Sequence, residues 1–81
     1  MEKHRLPIDK IRVPVKRVKT LEADKVQALA EDILEHGQKV AISVRPDGEA
    51  YVLVEGFHRL EALRALGEDE VDAFLVRARL H

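Results

Sequence analysis

The chain contains no cysteine and no tryptophan, and its only aromatic rings are Tyr51, Phe57 and Phe74. Without cysteine there is no disulfide, no thiolate nucleophile and no Cys-ligated zinc. The four histidines, His4, His36, His58 and His81, are scattered and show no metal-ligand spacing. No apolar run approaches the ~20 residues that cross a bilayer, and no signal-peptide core follows the N-terminus. A soluble cytoplasmic protein is the expectation. An excess of one charge is also missing. Fourteen Lys and Arg against fifteen Asp and Glu leave a net charge of −1. That balance argues against a surface given over entirely to nucleic acid or anionic lipid.

What remains is aliphatic. Apolar residues make up 46% of the 81, so the core is built from Val, Leu, Ile and Ala. This length suits one small domain, residues 1–81, with limited surface to bury. Basic residues gather early. Lys3, Arg5, Lys10, Arg12, Lys16, Arg17, Lys19 and Lys25 outnumber Glu2, Asp9, Glu22 and Asp24.

Leu6–Val13 alternates apolar and polar residues after Pro7, as a short edge strand does. Val26, Leu29, Ala30, Ile33 and Leu34 recur at helical spacing and predict a helix over Glu22–His36. Acidic Glu22 and Asp24 suit its first turn, and Gly37 suits its end. Ala41–Val44 and Tyr51–Val54 form a hairpin around Arg45-Pro46-Asp47-Gly48, where Asp-Gly is the turn signal. A second helix is expected over Phe57–Leu66 and a last strand over Val71–Arg77. The order β-α-β-β-α-β gives an α+β domain with two helices against a mixed, four-stranded sheet. Val26, Leu29, Ile33, Val44, Val52, Val54, Leu60, Leu63, Phe74 and Val76 are the expected core.

The most informative stretch is Tyr51–Gly67. An apolar strand stops at Gly56, and a helix with Leu60, Leu63 and Leu66 follows and ends at Gly67. A glycine at such a junction permits a tight turn and close approach of a ligand. The helix start behind it offers free N–H groups and the positive end of the helix dipole. His58 and Arg59 in that first turn oppose the dipole, unless an anion sits there to reconcile them. On spacing alone, an ordinary solvated helix start explains these residues better than anion binding does.

With the element order in place, the chain resembles the ParB/sulfiredoxin superfamily over nearly its whole length. Pro7–Arg12 is similar to that fold's opening strand, Leu21–Ile33 to its first helix and Pro46–Gly48 to its hairpin. Gly56-Phe-His-Arg59, followed by Leu60-Glu-Ala-Leu63, is similar to its signature, which reads Gly-Cys-His-Arg in sulfiredoxins and Gly-Glu-Arg-Arg in ParB-type proteins. The resemblance implies a nucleoside triphosphate, ATP or CTP with or without Mg²⁺, held by its phosphates at the start of the signature helix. Gly56 and the amide of Phe57 would cradle phosphate, with His58 and Arg59 as charge partners. Lys25 falls where sulfiredoxins place a nucleotide-contacting lysine. Ala28 and Asp32 replace hydroxyl residues that sulfiredoxins turn toward the nucleotide.

Phe57 stands where sulfiredoxins carry their catalytic cysteine, so sulfinic acid reduction through a thiol is excluded. It also replaces the glutamate that ParB-type proteins associate with metal-assisted hydrolysis. A binding module, regulatory or dependent on a partner, is therefore expected rather than an enzyme. The alternatives are a phosphotransferase or nuclease of the same fold and a DNA-binding, partition-associated protein. An enzyme needs a metal-binding carboxylate, for which Glu55 is the adjacent residue and Glu61 the next, although Glu61 equally suits an intrahelical pair with Arg64. DNA or a protein partner would use the basic segment Lys16–Lys25, including Arg17 and Lys19. That segment has no aromatic ring for stacking.

Overall fold

Pro7 ends the first strand early. The computed structural model describes residues 2–77. Its first strand, β1 (Lys3–Pro7), passes into a single 3-10 turn at Ile8–Lys10, and β2 (Ile11–Arg12) follows. The Ile8 N–H bonds the Asp69 carbonyl at 2.9 Å, one residue beyond the Pro7–Glu70 pair in the same register, and the chain then tightens into the 3-10 turn. Ile8 and Ile11, three residues apart across the tight turn, are both buried. The expected single strand over Leu6–Val13 is therefore two strands.

The remaining elements are α1 (Val15–Val18), α2 (Ala23–His36), β3 (Ile42–Asp47), β4 (Ala50–Glu55), α3 (Phe57–Ala65) and β5 (Glu70–Leu75). The sheet has five strands, not four, in the order β1-β5-β3-β4-β2. The two halves of the opening segment thus lie on opposite edges. The sheet is mixed as expected: β1–β5 and β3–β4 are antiparallel, whereas β3–β5 and β2–β4 are parallel. The hairpin closes one residue later than the Asp-Gly signal implied. Asp47 pairs with Ala50, and Gly48-Glu49 forms the loop. Only Gly48 has positive φ (+64°), as in a two-residue loop with glycine first.

Ile42, Val44, Leu53, Val71 and Ala73 present one face of the sheet to Ile33 of α2 and to Phe57, Leu60, Ala62 and Leu63 of α3. Val26, Leu29 and Ala30 are half-buried against this core. Leu34, expected on the same helix face, is 77% exposed because the contact seam runs through positions 26, 29, 30 and 33. Strand parity differs from expectation. Val52, Val54, Phe74 and Val76 are half-buried outside the core cluster, and Leu53, Val71 and Ala73 take the buried positions. Both parities of Tyr51–Val54 and Ala73–Val76 are apolar, so alternation could not choose between them. The side on which the helices pack chose.

α3 ends in a paired turn. Gly67 (φ +78°) donates to Arg64, and the Glu68 N–H bonds the Leu63 carbonyl at 3.1 Å. Its start is set by Gly56, whose φ of +102° lies in the left-handed region. A Cβ built on Gly56 would lie 2.7 Å from Ile42 Cγ2 and 3.2 Å from its Cα. The position therefore needs glycine for backbone conformation and for space.

Two substitutions test this packing by denaturant unfolding. Leu63→Ala is expected to cost about 2–5 kcal/mol, as deletion from a filled core does; a cost near zero would mean that α3 does not bury this face. Gly56→Ala is expected to destabilise by at least the ~1–3 kcal/mol of a strained backbone, with the Ile42 clash in addition. Unchanged stability would refute the left-handed turn.

Candidate functional site

Gly56 turns the chain so that α3 starts at the end of β4 without a cap. The Leu60 N–H is the first to bond back into the helix, to the Gly56 carbonyl at 2.9 Å. The amides of Phe57, His58 and Arg59 therefore have no intrahelical acceptor. No side chain caps them, and the first turn holds no acidic residue. Three N–H groups and the positive end of the dipole are thus left for an external acceptor. Phe57 contributes only its amide there, because its ring is 5% exposed and belongs to the core.

Arg59 is half-buried. Its neighbours among the arginines are engaged, Arg17 with Glu55 at 4.0 Å and Arg64 with Glu61 at 3.2 Å. Arg59 itself has no hydrogen-bond or ion-pair partner among the described residues. A partly desolvated guanidinium with five donors and no acceptor favours an anion beside it.

His58 does something the sequence did not suggest. Its Nε2 accepts a hydrogen bond from the Glu22 N–H at 3.0 Å, tying the first turn of α3 to the start of α2. With Nε2 engaged as the acceptor, Nδ1 is the ring nitrogen left for another partner. The residue expected as a charge partner for phosphate thus also joins α3 to α2. Lys25 Nζ lies 3.1 Å from Glu22 Oε2, which brings it to the same corner.

An open cavity of about 470 Å³ adjoins this corner, lined by Lys25, Ala28, Leu29, Asp32 and His58. Its size is within the ~300–1,000 Å³ of small-molecule sites. Lys25, Ala28, Leu29 and Asp32 share one helix face at spacings of three, four and seven residues. Asp32 Oδ1 is 3.1 Å from His36 Nδ1, one turn further on.

The other candidates are placed less centrally. Arg59 does not line that cavity. Arg17 reaches the strand–helix turn from another element, its guanidinium donating to the Val54 carbonyl and pairing with Glu55. Lys16 and Lys19 are exposed. Glu55 is bound to Arg17 and Glu61 to Arg64. Among the described residues no three His, Asp or Glu side chains gather as a metal site. No helix among them is long and apolar enough to cross a membrane. Helical spacing from Lys25 could have marked Asp32 as a cavity residue. The Glu22–His58 bond joins residues 36 positions apart and leaves no local signal.

The ParB N-terminal domain family matches residues 1–80. A probable plasmid-partitioning protein ParB of Thermus thermophilus is 44% identical over 72 residues, covering 85% of this chain and 23% of the relative. The chain thus spans about a quarter of that relative's length. The crystal structure of sulfiredoxin from Arabidopsis thaliana superimposes with a TM-score of 0.86 at 29% identity, over 96% of this chain and 88% of the other. C-terminally truncated ParB from Caulobacter crescentus, complexed with CTP-γ-S, superimposes with a TM-score of 0.85 at 22% identity, over 98% of this chain and 46% of the other. The second of these likenesses is one of fold. A match from the first residue to the eightieth, with the signature turn in place, means that the chain belongs to the ParB N-terminal domain family.

Proposed function

We propose that residues 1–81 act as one nucleotide-binding module, taking ATP or CTP with or without Mg²⁺. The phosphates lie on the amides of Phe57, His58 and Arg59, and Gly56 allows their close approach. The observation that carries this reading is the uncapped, acid-free start of α3 beside a half-buried Arg59 that has no partner among the described residues. The Arg59 guanidinium supplies the charge. His58 Nδ1 and Lys25 Nζ flank the cavity into which the nucleoside extends. The CTP-γ-S complex of the Caulobacter ParB supports a nucleotide as the anion.

The module binds rather than hydrolyses, and it acts through a partner. Hydrolysis needs a metal held by carboxylate or a base beside the terminal phosphate. Phe57 offers neither, and Glu55 and Glu61 are held by Arg17 and Arg64. A DNA-contacting role through Lys16–Lys25 has less support, since Arg17 and Lys25 are engaged within the fold and two exposed lysines remain.

Calorimetric titration with ATP and CTP tests the site. Arg59→Ala is expected to weaken binding by about 1.5–3 kcal/mol, the range for hydrogen bonds to a charged group. Arg59→Lys is also expected to bind less tightly, because it keeps the charge and loses the planar fork. Unchanged affinity in Arg59→Ala would make the motif structural. With ATP or CTP and Mg²⁺, phosphate release at an enzyme-like rate is not expected. Turnover by the wild-type chain that disappears in Glu55→Gln or Glu61→Gln would place the domain among phosphotransferases instead.

A further inference from the structure

A second face of α2, away from the cavity at His58, carries a stripe that nothing in the fold covers. Ala23, Gln27, Ala30 and Leu34 recur at helical spacing and line up over about 16 Å at 1.5 Å per residue. Leu34 at its far end is 77% exposed, and Leu21 just before the helix is 46% exposed. Across from the start of the stripe stand Arg64 and Ala65 of α3, and the two helices wall an outer groove of about 600 Å³. Alanine at positions 23, 30 and 65 lets a third helix lie within the ~8–10 Å of packed helix axes.

Charge says what kind of helix. Arg64 is shared with a neighbouring recess of about 440 Å³, whose other charged residues are Asp9, Glu68, Asp69 and Glu70. Arg64 pairs with Glu61 at 3.2 Å, and Glu70 with Arg5 at 3.4 Å. Asp9, Glu68 and Asp69 have no ion-pair partner among the described residues. Neither have Asp24 and Glu31, which border the stripe on α2. The C-terminal end of α3 lies at the same recess and adds its negative dipole end. Among the described residues no three acidic side chains close into a metal site, so the recess suits cationic side chains spaced along a chain. From this arrangement we infer that the outer groove docks an amphipathic helix of a partner protein. Its aliphatic side chains lie on the alanine stripe, and Lys or Arg at one end enters the recess. The inference rests on the partner-dependent part of the function proposed above and not on the nucleotide.

Four synthetic 18-residue peptides test it. All share one Leu/Ala helical face, and they carry four lysines or four glutamates at the N-terminal or the C-terminal end. Each is titrated into the 81-residue chain without nucleotide and followed by backbone NMR shifts. One lysine peptide is expected to bind about fivefold or more tighter than its glutamate counterpart, as several solvent-screened pairs together allow. Its shifts are expected at Ala23, Ala30, Leu34 and Ala65 and at Glu68–Glu70. Glu68→Gln combined with Asp69→Asn is expected to bring that ratio toward one. Leu34→Ser is expected to weaken both peptides by about three- to tenfold at an unchanged unfolding midpoint, because the side chain is exposed in the free chain. Equal affinity for lysine and glutamate peptides overturns the inference, as does a preference that survives the double substitution. Absence of binding by all four peptides overturns it too, as do shifts confined to the sheet or to Phe57–Arg59. Groove shifts that grow with protein concentration alone also overturn it, since a second copy would then be the occupant. None of these outcomes touches the phosphate site, which is read separately by the effect of Arg59→Ala on ATP and CTP.

Discussion

The left-handed backbone at Gly56, pressed against Ile42, is the constraint on which the rest of the site depends. It lets β4 end and α3 begin with no intervening loop. Because Ile42 lies where a Cβ would stand, β3 and the turn are locked together. The same turn leaves the first amides of α3 outside the helical ladder and without a side-chain cap. A local demand for glycine thus becomes a cluster of donors aimed at one place.

Electrostatics around that cluster are arranged by residues far apart in sequence. Arg17 comes back over the end of β4 and engages both the Val54 carbonyl and Glu55. Arg59 beside it has no hydrogen-bond or ion-pair partner among the described residues. His58 holds α2 against α3 through the Glu22 amide, so one side chain serves as both strut and cavity wall. Phe57, at the position that separates the family's branches, has become part of the core. Its burial strengthens the attachment of α3 to the sheet.

The cavity between α2 and α3 extends the donor cluster into a site with direction. Lys25 and His58 stand near the start of α2, an aliphatic wall follows, and a carboxylate closes the far end. Neither helix makes the cavity alone. α2 provides most of its wall, and α3 contributes His58.

The sequence by itself determined the elements that local chemistry controls. Helical spacing placed α2 and α3 within a residue or two of their observed limits, and Gly37 and Gly67 marked their ends. Gly56-Phe-His-Arg59 identified the strand-to-helix turn, because a glycine between an apolar strand and a helical repeat carries that signal locally. Tertiary structure decided what local pattern left degenerate. Val52 and Leu53, or Ala73 and Phe74, are apolar neighbours on opposite faces of a strand, and only the packing side of the helices selects between them. The 3-10 turn at Ile8–Lys10 splits one predicted strand into two that serve opposite sheet edges. The pairing of His58 with Glu22 arises from contact across 36 residues. No period or motif encodes such a contact, because it exists only once both helices have docked.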